Sequence, residues 1–242
     1  MKKGLNGFEL KIIAISLMFV DHVGAILFPT VMIFRVVGRL AFPIFAFFIS
    51  EGFFHTRSIK KYLIRLGICA IAFQIPDWFS RIYSIVTDTP GFGVSYSLNI
   101  FSTLFLGLCA IVLFDMLKTK SVWLAFLSTL VIAAMAEVIN ADYGAYGVFY
   151  IFLFYLTKGN IHNMILGGIL LHGFYGLYEM STSFISTGTA IFTHSIQIYS
   201  LGALPIIALY NNERGRKAKY FFYIFYPAHL IILYAIDWIL RG

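Results

Sequence analysis

Val31-Met-Ile-Phe-Arg35-Val-Val-Gly38-Arg39-Leu-Ala-Phe-Pro43-Ile-Phe-Ala-Phe-Phe-Ile-Ser50-Glu51-Gly52-Phe-Phe54 is the run whose reading decides the fold. As a helix it exceeds the roughly 20 residues needed to cross the hydrocarbon of a bilayer. It nevertheless carries Arg35 and Arg39, four apart and so on one helix face. Outward from it, apolar blocks recur at 11–28, 62–80, 98–116, 121–140, 143–157, 161–179, 195–210 and 219–240. The block at 143–157 is short, and a single element with 121–140, broken around Asn140, Asp142 and Gly144, is the alternative, which leaves the count open by one or two. The expected fold is all-α, a polytopic transmembrane helix bundle of about nine spans (8–10).

Composition agrees: 60% of the residues are hydrophobic, 12% are charged and mean hydropathy is +0.85, too little charge for a soluble domain. No Ser/Pro-rich linker divides the blocks, so residues 1–242 read as a single membrane domain. The net charge of +7 does not point to nucleic acid, because the basic residues sit in short clusters between apolar blocks and not on a polar face. Cys69 and Cys109 fall inside apolar blocks with no Cys-x-x-Cys spacing and read as core thiols. Lys2 and Lys3 precede an apolar run that lacks a small-x-small cleavage site, so this run is expected to stay as the first helix.

Orientation follows from the cations. With the amino terminus in the cytoplasm, Lys2, Lys3, Lys11, the cluster Arg57, Lys60, Lys61 and Arg65, then Lys118, Lys120, Lys158 and the cluster from Arg214 to Lys219 fall at cytoplasmic span ends. Dropping one span between Lys118 and Lys158 breaks this agreement, which is why the short block is kept.

An ionisable side chain inside a span costs about 2.5–3.5 kcal/mol and asks for a partner or a task. Asp21 and His22 stand eleven steps of about 1.5 Å beyond Lys11, which puts the imidazole roughly 16 Å outward. Arg35 and Arg39 enter from the opposite side and bracket that depth. Adjacent residues on a helix point about 100° apart, so Asp21 pairs with Arg35 or Arg39 across the helix interface while His22 stays on the neighbouring face. Glu51, level with Lys11 at the cytoplasmic end, is either an ion-pair partner or a ligand contact. Glu137, Asp142, Tyr143, His172 and Glu179 converge on the outer leaflet, where a shared polar cavity competes with plain interfacial placement, the latter favoured for Glu179 and His194. His229, about ten residues into the last span beside Pro227, either bonds a neighbouring helix or joins the site.

Phe19-Val-Asp21-His22, the Arg35 to Gly52 string above, a Gln74-Ile-Pro76 turn, Asp142-Tyr143-Gly144 and Tyr226-Pro-Ala-His229-Leu together resemble, in order and spacing over nearly the whole chain, the TraX family. That family is named for the membrane acetylase of a conjugative pilin amino terminus. It is similar in turn to the membrane acyltransferase family 3, whose first helix carries a basic residue, ten residues and a histidine. Lys11 and His22 take those positions here, with Lys in place of the usual Arg: a point charge where the family has a bidentate fork.

The resemblance implies an acetyl-CoA-dependent transferase of a bacterial plasma membrane. Lys11, with Arg57, Lys60 and Lys61, attracts the CoA phosphates. His22 acts as general base or transient acyl carrier. Arg39 and Arg35 stabilise the oxyanion or fix Asp21. Glu51, Asp142, Tyr143 and His229 are expected to contact substrate, with a peptide or glycan acceptor entering from outside. No Gly-rich phosphate loop, zinc motif or serine elbow is present, so no metal is expected. A proton-coupled small-molecule transporter and a non-enzymatic assembly factor are the competing classes. The absence of an inverted repeat weighs against the first and the buried charges against the second.

Overall fold

The computed structural model describes residues 4–87, 97–187, 196–216 and 219–241. Lys2, Lys3, His194 and Lys217 lie outside the described residues. The order is α1 (Gly7–Ile26), α2 (Met32–Gly38), α3 (Ala41–His55), α4 (Ile59–Thr87), α5 (Ile100–Leu117), α6 (Val122–Val138), α7 (Gly144–Leu156), α8 (Ile161–Thr187), a 3-10 helix (Ile196–Gly202), α9 (Ala203–Ala208) and α10 (Lys219–Arg241). The described chain is all-helical; beyond the helices it has two isolated bridges, Leu5 with Tyr210 and Leu98 with Ala141.

Met32–His55, Ile59–Phe79 and Ile100–Leu117 are long and apolar enough to cross a membrane, and Val122–Val138, Gly144–Leu156, Ile196–Ala208 and Ile224–Leu240 are shorter apolar helices. The lipid-type surface is visible in the large side chains left exposed along these helices, among them Ile68, Ile71, Trp123, Ile231 and Trp238. In a protein of this composition such a surface belongs to a membrane.

Caps explain several boundaries. Asn6 accepts from the backbone N–H of Phe8 and Glu9 at 3.0 and 3.1 Å, and Glu9 returns the bond to the Asn6 N–H at 2.8 Å, a complete capping box at the start of α1. Asn99 and Ser121 cap α5 and α6 more simply, each side-chain oxygen accepting one backbone N–H, from Phe101 at 3.0 Å and from Leu124 at 3.3 Å.

The run at 31–54 is not one continuous helix. It breaks between Gly38 and Ala41, and Pro43 supplies the reason. A proline offers no N–H to the carbonyl four residues back, here Arg39, and its ring collides with that carbonyl. The chain therefore closes α2 with Arg39 N–H to Arg35 O at 3.1 Å and restarts at Ala41. Pro76 does not produce the expected turn: α4 continues through it. The polar work at that point is done by Gln74, whose Oε1 accepts from the Asn99 backbone at 2.8 Å and from Asn99 Nδ2 at 2.9 Å. Residues 121–157 form two helices, α6 and α7, which pack on each other after a turn that puts Asn140 at φ 53° and Gly144 at φ 46°.

Contacts divide the chain into two compact units, Met1–Phe47 with Gly159–Gly242, and Phe48–Lys158, the boundary falling inside α3. In the first unit α1 packs on α2 and α10, and the 3-10 helix packs on α2, α8 and α9. In the second, α5 packs on α4, α6 and α7 around Leu106, Ala110, Ala133, Ala136 and Val148.

Candidate functional site

Two glycines set how closely α1 and α2 approach. A Cβ on Gly24 would overlap the Cβ of Phe34, and one on Gly38 would overlap the side chain of Asp21. With Gly38 lacking that atom, the Asp21 carboxylate lies directly against α2, buried to 9% exposure. Arg35, in the last turn of α2, reaches Asp21 Oδ2 at 2.6 Å and its backbone carbonyl at 3.3 Å. Arg39 donates through Nη2 to both carboxylate oxygens at 2.8 Å. The sequence allowed either arginine as the partner; both are used, because the i, i+4 spacing puts the two on one face of α2 and its cap. One buried carboxylate thus holds two guanidiniums, and both lose this ion pair if Asp21 is removed.

His22 turns to the other neighbour. Its Nδ1 lies 2.8 Å from His229 Nε2 on α10, ring centroids 4.9 Å apart. His229, 3% exposed, is fixed in turn by its Nδ1, which lies 2.7 Å from the Phe225 carbonyl one turn back. The Phe225 ring stacks on it at 5.0 Å, and Phe19 and Tyr226 meet it edge-on. Phe19 pairs with Phe225 and His22 with His229, so α1 and α10 run parallel. Ile15 and Met18 of α1 pack with Phe225 and Tyr226 below the histidines.

Asp21, His22, Arg35, Arg39 and His229 are therefore brought together in the first unit. Lys11 shares α1 with Asp21 and His22, half-buried and about three turns nearer the helix start. His172 lies in the same unit with both ring nitrogens engaged, Nδ1 with Gly168 O at 2.7 Å and Nε2 with Ser200 Oγ at 2.8 Å, which fastens α8 to the 3-10 helix. Of His22, His172 and His229, only His22 keeps a ring nitrogen, Nε2, with no hydrogen-bond partner among the described residues.

Glu51, Asp142 and Tyr143 belong to the second unit. Glu51 is buried, with Oε1 3.3 Å from Lys158 Nζ and Oε2 3.4 Å from His55 Nδ1. His55 spends its Nδ1–H on the Glu51 backbone carbonyl at 2.9 Å, and Lys158 lies 3.9 Å from the centroid of the Phe54 ring. The ion pair open to Glu51 in its own unit is thus made by Lys158, just past the end of α7. Asp142 is exposed and Tyr143 half-buried at the opposite end of α7, about 20 Å away along a helix of this length. Glu137 serves the fold there: its Oε2 accepts from the Ala145 N–H at 3.0 Å, beside Gly144, whose missing side chain leaves the carboxylate room. Glu179 is half-buried on α8 with no cavity-forming partner described.

The sequence reading missed two features. One is the triad at the end of α5, where Tyr155 donates to Asp115 at 2.7 Å and Lys118 reaches both. The other is the contact between His22 and His229. A depth signal for the latter was present: Lys11 precedes His22 by about the same rise as Lys219 precedes His229.

The whole arrangement offers an imidazole with one ring nitrogen unbonded among the described residues, beside a buried carboxylate paired with two arginines. Over 94% of its length the chain is 28% identical to the probable fimbrial assembly protein FimC, serogroup H1, of Dichelobacter nodosus, of which it covers 94%. A second similarity, 31% identity over 43% of this chain and 36% of the other, is to the uncharacterized protein RP591 of Rickettsia prowazekii strain Madrid E. No solved structure matches. The family described as TraX protein matches residues 7–237, nearly the whole chain, and this helical membrane protein therefore belongs to the TraX family.

Proposed function

We propose that the chain is an integral-membrane acyltransferase of a bacterial plasma membrane. It moves an acetyl group from cytoplasmic acetyl-CoA to an amine or hydroxyl acceptor reached from the outer side, with about nine spans and the amino terminus in the cytoplasm. The observation that carries this reading is His22: a histidine inside the helices, its Nε2 unbonded among the described residues, next to a carboxylate clamped by two arginines. Membership in the TraX family supports the chemistry, and the fimbrial assembly relative supports a peptide acceptor, such as a pilin amino terminus, over an envelope glycan.

In this mechanism Lys11 draws the CoA phosphates toward the start of α1. His22 Nε2 removes the acceptor's proton as its nitrogen or oxygen attacks the acetyl carbonyl, or carries the acetyl group transiently. Arg39 and Arg35, kept in place by Asp21, supply positive charge for the carbonyl oxygen. In the second unit, Asp142 and Tyr143 are assigned to the acceptor and Glu51 to the CoA side.

The test is acetyl-CoA binding and slow thioester hydrolysis by protein in nanodiscs, which needs no acceptor. Saturable binding with CoA release lost in His22→Ala supports the reading. No binding by a folded preparation overturns it. The fimbrial assembly relative also favours a second reading, a non-enzymatic assembly factor. That reading predicts that His22→Ala leaves surface fibre assembly intact.

A further inference from the structure

We infer that His229 is a positioning residue that holds His22 in the tautomer with the proton on Nδ1 and a bare, reactive Nε2. The inference rests on the acyltransferase reading only for what the bare nitrogen is used for; the tautomer itself follows from hydrogen-bond directions.

The chain of bonds runs one way. The Phe225 carbonyl can only accept, so the 2.7 Å contact requires the proton of His229 to sit on Nδ1. A neutral His229 then has a lone pair on Nε2. The 2.8 Å contact to His22 Nδ1 must therefore be an N–H of His22 donating to His229. His22, neutral in turn, is left with its lone pair on Nε2, the nitrogen with no partner among the described residues. This is the logic by which the hydrogen bond at one ring nitrogen decides the chemistry at the other. A carboxylate is the familiar orienting partner; here a second imidazole, anchored on a backbone carbonyl, takes that place.

The site makes this assignment rigid. Phe225 stacks on His229, Phe19 and Tyr226 contact its edges, and the residue is 3% exposed, so ring rotation is blocked and water does not compete at the junction. The adjacent carboxylate does not compete either, because Asp21 points to α2 and both its oxygens are taken by the arginines.

In the transfer step, His22 Nε2 takes one proton from the acceptor as the new bond to the acetyl carbon forms. The C–S bond then breaks, and the proton returns from Nε2 to the departing CoA thiolate. His22 and His229 end in their starting tautomers, and acetyl-acceptor and CoA thiol account for every atom.

Two variants separate orientation from shape. His229→Phe keeps an aromatic ring but removes the acceptor. His229→Gln restores an acceptor oxygen for the His22 Nδ1–H. Nitrogen-15 spectra of histidine-labelled protein in nanodiscs read the tautomer directly, with the His22 signals assigned by comparison with His22→Ala. The native protein is expected to show Nδ1–H with bare Nε2 at His22, the Phe variant to lose that preference by roughly tenfold, and the Gln variant to retain it. CoA release should follow: kcat down roughly tenfold or more in His229→Phe with acetyl-CoA KM unchanged, and within about threefold of native in His229→Gln. A native His22 protonated on Nε2, or a tautomer indifferent to His229→Phe, overturns the inference. The expected tautomers in a protein that never releases CoA would sink the transferase reading and leave the positioning of His22 standing.

Discussion

Replacing Asp21 by Asn tests how the first two helices are held together. The substitution keeps the shape of the side chain and removes the charge that Arg35 and Arg39 both contact, at 2.6 and 2.8 Å. Breaking a buried ion pair by deleting one partner costs about 3–5 kcal/mol, because the surviving charge stays desolvated. Arg35 keeps 28% of its side-chain surface and Arg39 14%, so water offsets part of the loss and the lower end, about 3 kcal/mol, is expected. For a chain of this size each kcal/mol moves the midpoint by about 2–4 °C, giving a fall of roughly 6–12 °C. The assay is thermal unfolding in detergent micelles at fixed detergent and salt. The double variant Asp21→Asn with Arg39→Gln should lose less than the sum of the two single changes, since only one of them strands a charge. A shift under about 2 °C, or strictly additive losses, would refute the idea that this carboxylate is the electrostatic link between α1 and α2.

Gly38→Ala forces a methyl group into the Asp21 side chain and should lower stability by about 1–3 kcal/mol, read as a lower melting temperature, while Ala substitution at Gly173, which has open space, should not. Asn99→Ala removes the partner of the buried Gln74 oxygen and the cap of α5, so a loss of about 1–3 kcal/mol is expected in the same assay. Ser200→Ala leaves His172 Nε2 without that hydroxyl and should cost about 1 kcal/mol with no effect on acetyl-CoA binding, which separates this histidine from His22. Pro43→Ala restores an N–H opposite the Arg39 carbonyl. Spin labels at Val36 and Phe47 should then report a lengthened separation if Pro43 is what breaks the helix.

Much of the candidate site was legible before any coordinates. Asp21, Arg35 and Arg39 stood out because charges in apolar runs demand partners, and the i, i+4 arginines had to share a face. The break after Gly38 was also written in the sequence, in Pro43, but the apolar run around it hid the signal. Less legible were the polar residues whose work is local. Glu137 resembles a cavity residue until Ala145 and Gly144 are seen beside it, and Gln74-Ile-Pro76 resembles a turn until Asn99 is seen to hold Gln74 inside a continuous helix. Such roles depend on which backbone N–H or side chain arrives from a distant segment, and no spacing rule carries that information.

The amino-acid sequence by itself determined the helical, membrane character of the chain, the position of most helices and the charges that could not stay alone. Hydrophobic periodicity and the cost of burying an ion act locally, so they can be read from one stretch at a time. Only the tertiary structure decided which residue meets which: that Asp21 takes both arginines, that His229 and not Asp21 orients His22, and that His172 is spent on Ser200. Those outcomes turn on contacts between helices far apart in sequence, where a glycine's missing Cβ or the direction of one imidazole N–H selects among partners of similar chemistry.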